Sequence, residues 1–109
     1  MIELILSLEF DKAIGLLLQY ESVESGFKEI FEASVSFENI IFYTFYISLE
    51  ERFKNNSYYY MYMSTMLGHV FNYLKGAYNL AAYYCEKAIA MDSDNKDFRD
   101  HYDYLSLHL

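Results

Sequence analysis

An all-α fold follows from three features of the chain. No proline occurs among its 109 residues, and only four glycines interrupt it. Apolar residues recur mostly at three- and four-residue spacing without sustained alternation, which is the period of helices and not of strands. The Tyr-, Phe- and Ile-rich segments 40–47 and 58–62 favour strands by propensity alone. Each, however, lies in a run free of internal turn signals that is far longer than a strand. The length bounds the chain to a single domain, 1–109, with one core.

The punctuation places about six to seven helices. One or two short helices cover Ile2 to Tyr20. Ser25 can cap a helix running to about Ser34, with Glu29 near its positive end. Ser36 can cap a long helix from Phe37 to Lys54, and the Asn55-Asn56-Ser57 stop leads into a helix from Tyr58 to Leu74. Lys75-Gly76 breaks the chain before a helix from Ala77 to Met91. Asp94, with Asp97 three residues on, reads as a capping box for a last helix to about Ser106. Helices on such short links pack as antiparallel neighbours. Segment 37–49 is apolar nearly all round, so the sequence puts it at the centre of the fold.

Charge and cysteine usage exclude several classes. Sixteen acidic against eight basic residues give a net charge of −8. The Lys and Arg surplus needed to neutralise phosphate is missing, so no nucleic-acid partner is expected, and the carboxylates disfavour anionic membrane surfaces. Residues 55–74 carry no formal charge, but Asn55, Asn56, Ser57, Ser64, Thr65, His69 and Asn72 interrupt them, so no membrane span is expected. Cys85 is the lone cysteine, which permits no internal disulfide and fits a reducing, cytoplasmic setting. Met1-Ile2-Glu3-Leu4 has no basic region of the secretory type.

Catalytic and metal constellations are not expected either. Asp92-x-Asp94-x-Lys96-Asp97 with Asp103 superficially follows a calcium loop, but Lys96 stands at a ligand position and Asp97 where glycine is required. His69, His101 and His108 show no ligand spacing. Cys85 lies on a small-residue stripe with Ala77, Ala81, Tyr84 and Ala88, where a thiol serves as a small buried hydrophobe. Glu50-Glu51 adjoins basic residues at a helix end, which marks a solvated terminus. No nucleophile elbow or phosphate-binding glycine loop occurs. The reading is a non-catalytic protein with no cofactor.

The segment LGHVFNYLKGAYNLAAYYCEKAIAMDSDN, residues 67–95, resembles a tetratricopeptide repeat, a helix-turn-helix unit of about 34 residues. The resemblance rests on Leu67-Gly68, Phe71, Gly76-x-Tyr78, Ala81, Tyr84-Cys85, Ala88 and Asp92 to Asn95. Ser93 stands where the family has proline, and Leu67-Gly68 lies one residue too far from Gly76, which implies an insertion in the first helix or the turn. A fainter copy at Phe10-Asp11-Lys12-Ala13-Ile14 places Ala13 two repeat lengths before Ala81. The resemblance implies a short stack of antiparallel helix hairpins, a right-handed α-solenoid. It also implies that the first helices of the hairpins, here 25–34 and 58–74, line a groove for a protein partner.

Those helices carry Glu29 and Glu32, then Tyr58, Tyr62, His69 and Tyr73, with Lys28 their only base, and together with Glu24, just before the first of them, these are the expected partner-binding residues. Tyrosine offers large contact area at low entropy cost, and Tyr58, Tyr59, Tyr60 and Tyr62 cannot all face inward on one helix. An acidic groove suits a basic protein partner, with electrostatic steering of association. The expected function is therefore a small inhibitor or immunity protein that occludes a basic toxin such as a nuclease. The alternative is a structural subunit that homodimerises through Tyr59, Tyr62, Met63 and Met66.

Overall fold

A computed structural model describes residues 1–109 as eight α-helices and no strand: α1 Ile2–Leu6, α2 Phe10–Leu17, α3 Val23–Phe37, α4 Ile41–Ile47, α5 Glu50–Phe53, α6 Ser57–Thr65, α7 Ala77–Met91 and α8 Lys96–Ser106. A five-residue π-helical turn, Met66–Val70, continues α6. Here Phe71 N–H reaches back five residues to the Met66 carbonyl at 2.9 Å. Such a turn holds about one residue more than an α turn.

Four sequence expectations are corrected by local chemistry. Helix α3 starts at Val23 rather than after Ser25, whose hydroxyl instead donates to the Ser22 carbonyl inside the first turn. Ser36 is no cap, because α3 runs through it to Phe37. The single long helix from 37 to 54 is split, which raises the count above six to seven. Glu38 turns left-handed at φ 50° and ends α3, and the Asn39 side chain accepts from Ile41 N–H to open α4. Ser48 and Leu49 then bond back only three residues, tightening the end of α4; a run of Ile, Phe and Tyr lacks the helix propensity to override these local stops. The last helix is capped by Asn95, which accepts from Phe98 N–H at 3.2 Å, and not by Asp94.

The helices form two layers. In the first, α3, α6 and α8 run parallel. Phe27 meets Tyr59 at 5.6 Å and Phe31 meets Tyr62 at 6.0 Å between ring centroids. On the other flank Phe98 meets Tyr58 at 5.1 Å, and Leu105 lies against Gly68, where a methyl group would approach to 2.8 Å. That missing side chain lets α8 close onto α6. In the second layer α4 and α7 run the other way. Tyr46 stacks on Tyr59 at 4.6 Å, and Tyr60 faces Tyr84 at 5.9 Å. Helix α1 packs on α2 and α4 at the start of the stack.

The centre is thus α6 and not segment 37–49. Tyr59, Tyr60, Met63, Ser64, Met66 and Leu67 are all buried, whereas Phe37, Ile40 and Ile47 reach solvent. Tyr46 and Tyr59 lock the layers reciprocally: each hydroxyl donates to the other residue's carbonyl, at 2.8 and 2.6 Å. No buried side-chain polar atom lacks a partner, as a well-packed core requires.

Candidate functional site

Packing on both flanks and beneath leaves α6 one narrow stripe open. Tyr58 and His69 are exposed, and Tyr62 and Thr65 between them are half-buried. Their 4-3-4 spacing is a single helical face. Of the clustered tyrosines, Tyr59 and Tyr60 are inside and only Tyr58 and Tyr62 reach solvent. Self-association through Tyr59, Tyr62, Met63 and Met66 therefore has no face to use, because Tyr59, Met63 and Met66 are fully buried within the chain.

The acidic residues split between the stripe and elsewhere. Glu32 sits beside Tyr62, whose phenol is raised by burial first and by the Glu32 charge second. Glu24 receives hydrogen bonds from Asn56 Nδ2 at 3.0 Å and from Ser22, which hold its carboxyl below the usual range. Asn56 is also the cap of α6, accepting from Tyr59 N–H at 3.1 Å. Glu24 thus fastens the starts of α3 and α6 to each other. Glu29 turns to the far flank of α3, where the Tyr20 hydroxyl donates to it. Tyr73 lies past the end of the helix at 70% exposure, edge-on to Phe71. Tyr58, Tyr62 and His69 thus share one helical face, with Glu32 beside Tyr62 and Glu24 bonded to the cap residue Asn56, while Glu29 and Tyr73 lie apart from them.

The stripe ends in a histidine and tyrosine cluster that sequence spacing did not reveal. His69 stacks on Tyr104 at 4.5 Å and lies 5.5 Å from His101; His108 stacks on Tyr78 at 4.3 Å. His101 Nε2 is 3.0 Å from the buried Ser64 hydroxyl, whose own proton goes to the Ala81 carbonyl. The imidazole is then assigned as donor to Ser64. Burial, followed by the neighbouring His69, depresses His101 to about 4; burial, followed by His108, depresses His69. His69 and His101 are direct neighbours and His108 is set off from them by Tyr104, and no three His, Cys, Asp or Glu side chains are grouped to hold a metal.

A pH dependence follows from this cluster. A histidine held neutral in the fold contributes stability that is full above its unfolded value of about 6.5 and is lost as pH falls towards 4. His101 is partly open to solvent, and screening reduces the loss to about 1–2 kcal/mol. Urea unfolding at pH 7 and pH 4.5 should show this drop, and His101→Gln should flatten it; an unchanged slope would remove His101 as its source.

Two further features lie away from the stripe. Cys85 is buried with its thiol donating to the Phe98 carbonyl at 3.4 Å, and burial pushes it up to about 12. It stays protonated at neutral pH and serves as a packing residue. Between α4–α5 and α7 opens a cleft of about 690 Å³ lined by Ile47, Glu50, Lys54, Tyr60, Lys87 and Met91. Lys87 Nζ hangs over the Tyr60 and Tyr83 rings at 5.0 and 5.1 Å and lies 4.0 Å from Glu50. This arrangement joins residues far apart in sequence, and no local pattern announces it. No helix is long and apolar enough to cross a membrane. Compared with protein-family models, curated proteins and solved structures, the chain matches none of them.

Proposed function

We propose that this chain is a non-catalytic, cytoplasmic protein-interaction module that binds a basic partner through the open stripe of α6. The observation that carries the reading is the stripe itself: Tyr58 and His69 exposed and Tyr62 half-buried in a row between α3 and α8, with Glu32 beside Tyr62 and Glu24 bonded to the cap residue Asn56. Aromatic area beside carboxylates is the composition of a surface for Lys- and Arg-bearing proteins. The resemblance of residues 67–95 to a tetratricopeptide repeat agrees with it, since first helices line the groove in that family, and α3, α6 and α8 form such a parallel row. The overall charge of −8 adds long-range attraction for the same partner. A small inhibitor or immunity protein that neutralises a basic toxin such as a nuclease is the specific form of this function.

The test is a binding measurement on the partner recovered by affinity capture and eluted with rising salt. Its dissociation constant should rise about tenfold with Glu32→Lys and again with Tyr58→Ala, the size expected of a charged rim contact and an aromatic anchor. Affinity insensitive to salt and to both substitutions would overturn the reading.

A further inference from the structure

The cleft between α4–α5 and α7 holds two opposite charges that the fold brings together and leaves incompletely used. Lys87 Nζ stands over the Tyr60 and Tyr83 rings, and its nearest carboxylate oxygen, Glu50 Oε2, is 4.0 Å away. At that distance the pair attracts but makes no hydrogen bond, so the ammonium keeps its donors free. Glu50 Oε2 accepts from the Tyr60 hydroxyl at 3.1 Å, whereas Oε1 accepts from no side chain. Both side chains are half-buried. A free set of donors and a free acceptor thus lie side by side in the wall of one cleft.

The other two charges of the cleft satisfy each other. Lys54 Nζ bonds Glu51 at 2.7 Å, three residues back along the chain. The lining is therefore balanced, two cations against two anions, in a chain whose net charge is −8. A ligand of one sign would set a like charge against either Glu50 or Lys87, and only a ligand carrying both signs close together suits the pair. Beyond the pair the wall turns apolar, with Ile47 and Met91 both open to solvent. The cleft volume of about 690 Å³ lies within the range of small-molecule sites, and a thioether makes favourable contact with aromatic rings.

We infer that this cleft binds a free α-amino acid with a large apolar side chain, its carboxylate on Lys87 Nζ, its ammonium on Glu50 Oε1 and its side chain against Ile47 and Met91. An α-amino acid carries its two charges on one carbon, which matches a pair held 4.0 Å apart. The inference is independent of the protein-binding reading, because the cleft lies away from the α6 stripe.

Titration of the isotopically labelled full chain with L-phenylalanine, followed by amide chemical shifts, tests it. Shifts should centre on segments 47–55 and 83–91. N-acetyl-L-phenylalanine lacks the ammonium and L-phenylalanine amide lacks the carboxylate, and each should bind at least about tenfold more weakly. Lys87→Met, which keeps an apolar stem over the rings, should weaken binding by a similar factor. So should Glu50→Gln, which keeps an acceptor for Tyr60, and both variants should retain the helical circular dichroism of the parent. No shifts up to about 10 mM ligand, equal binding of the capped forms, or unchanged affinity in both variants would overturn the inference. Shifts confined to the Tyr58–His69 stripe would overturn it as well and would leave the protein-binding reading standing.

Discussion

Replacing Tyr59 with alanine should lower the unfolding free energy by about 4 kcal/mol, the cost of emptying a large aromatic site in a close-packed core. Tyr59 is fully buried and touches four rings, those of Phe27, Tyr46, Phe53 and Tyr60. It joins α3, α4 and α6, so its cavity cannot be closed by moving one helix. A domain of this size holds roughly 5–15 kcal/mol in total, and the variant should be substantially unfolded in mild denaturant. Tyr59→Phe separates packing from hydrogen bonding. It removes only the donor to the Tyr46 carbonyl, which keeps a bond from Leu49 N–H at 3.0 Å, so the loss should be about 1 kcal/mol. Urea titrations followed by circular dichroism measure both. A loss below 1 kcal/mol for Tyr59→Ala would contradict the central position of this ring.

Raising the pH above about 10 should unfold the chain cooperatively. Burial pushes Tyr43 up to about 12 and raises Tyr46 and Tyr59 well above the ordinary phenol range; burial and then the Glu50 carboxylate push Tyr60 up to about 12. A phenol whose folded value exceeds its unfolded one stabilises the fold fully below about pH 10, and that contribution disappears as pH rises towards the folded value. With several such groups acting together, the loss is on the order of the whole stability of a small domain. Phenolate absorbance and helical circular dichroism should therefore change in one shared step, and Tyr43→Phe should move that step to higher pH. Independent, gradual ionisation of the 13 tyrosines with the helices intact would contradict the buried arrangement.

Much of the local structure was legible in the residues. The absence of proline and the three- and four-residue periodicity determined an all-helical chain. Gly76, at φ 81°, marked the start of α7, and the stripe of Ala77, Ala81, Cys85 and Ala88 marked its buried face. Ser25 misled because a serine also bonds locally inside a helix, Ser36 because α3 runs through it, and Asp94 because its neighbour Asn95 takes the cap. Which of them caps depends on where neighbouring helices fix the chain. The split of the segment 37–54 was hidden for a related reason, since Glu38 carries no intrinsic preference for the left-handed turn it adopts.

The candidate surface was legible as a composition and not as an arrangement. Tyr58, Tyr62, His69 and Glu32 were recognisable in the sequence as interface-type residues, and the structure leaves each at least partly open to solvent. That Glu29 turns towards Tyr20 and that Tyr59 goes inside are results of pairing, set by α2 on one side and by Tyr46 on the other. The sequence by itself determined fold class, helix periodicity and charge, because these are sums over near neighbours and over composition. Only the tertiary structure decided which helix is central, which tyrosines stay open, and that His69, His101 and His108 share one aromatic cluster. Those properties depend on contacts between residues far apart in the chain, from Tyr46 with Tyr59 to Ser64 with His101 and Tyr58 with Asn95, and no local pattern carries them.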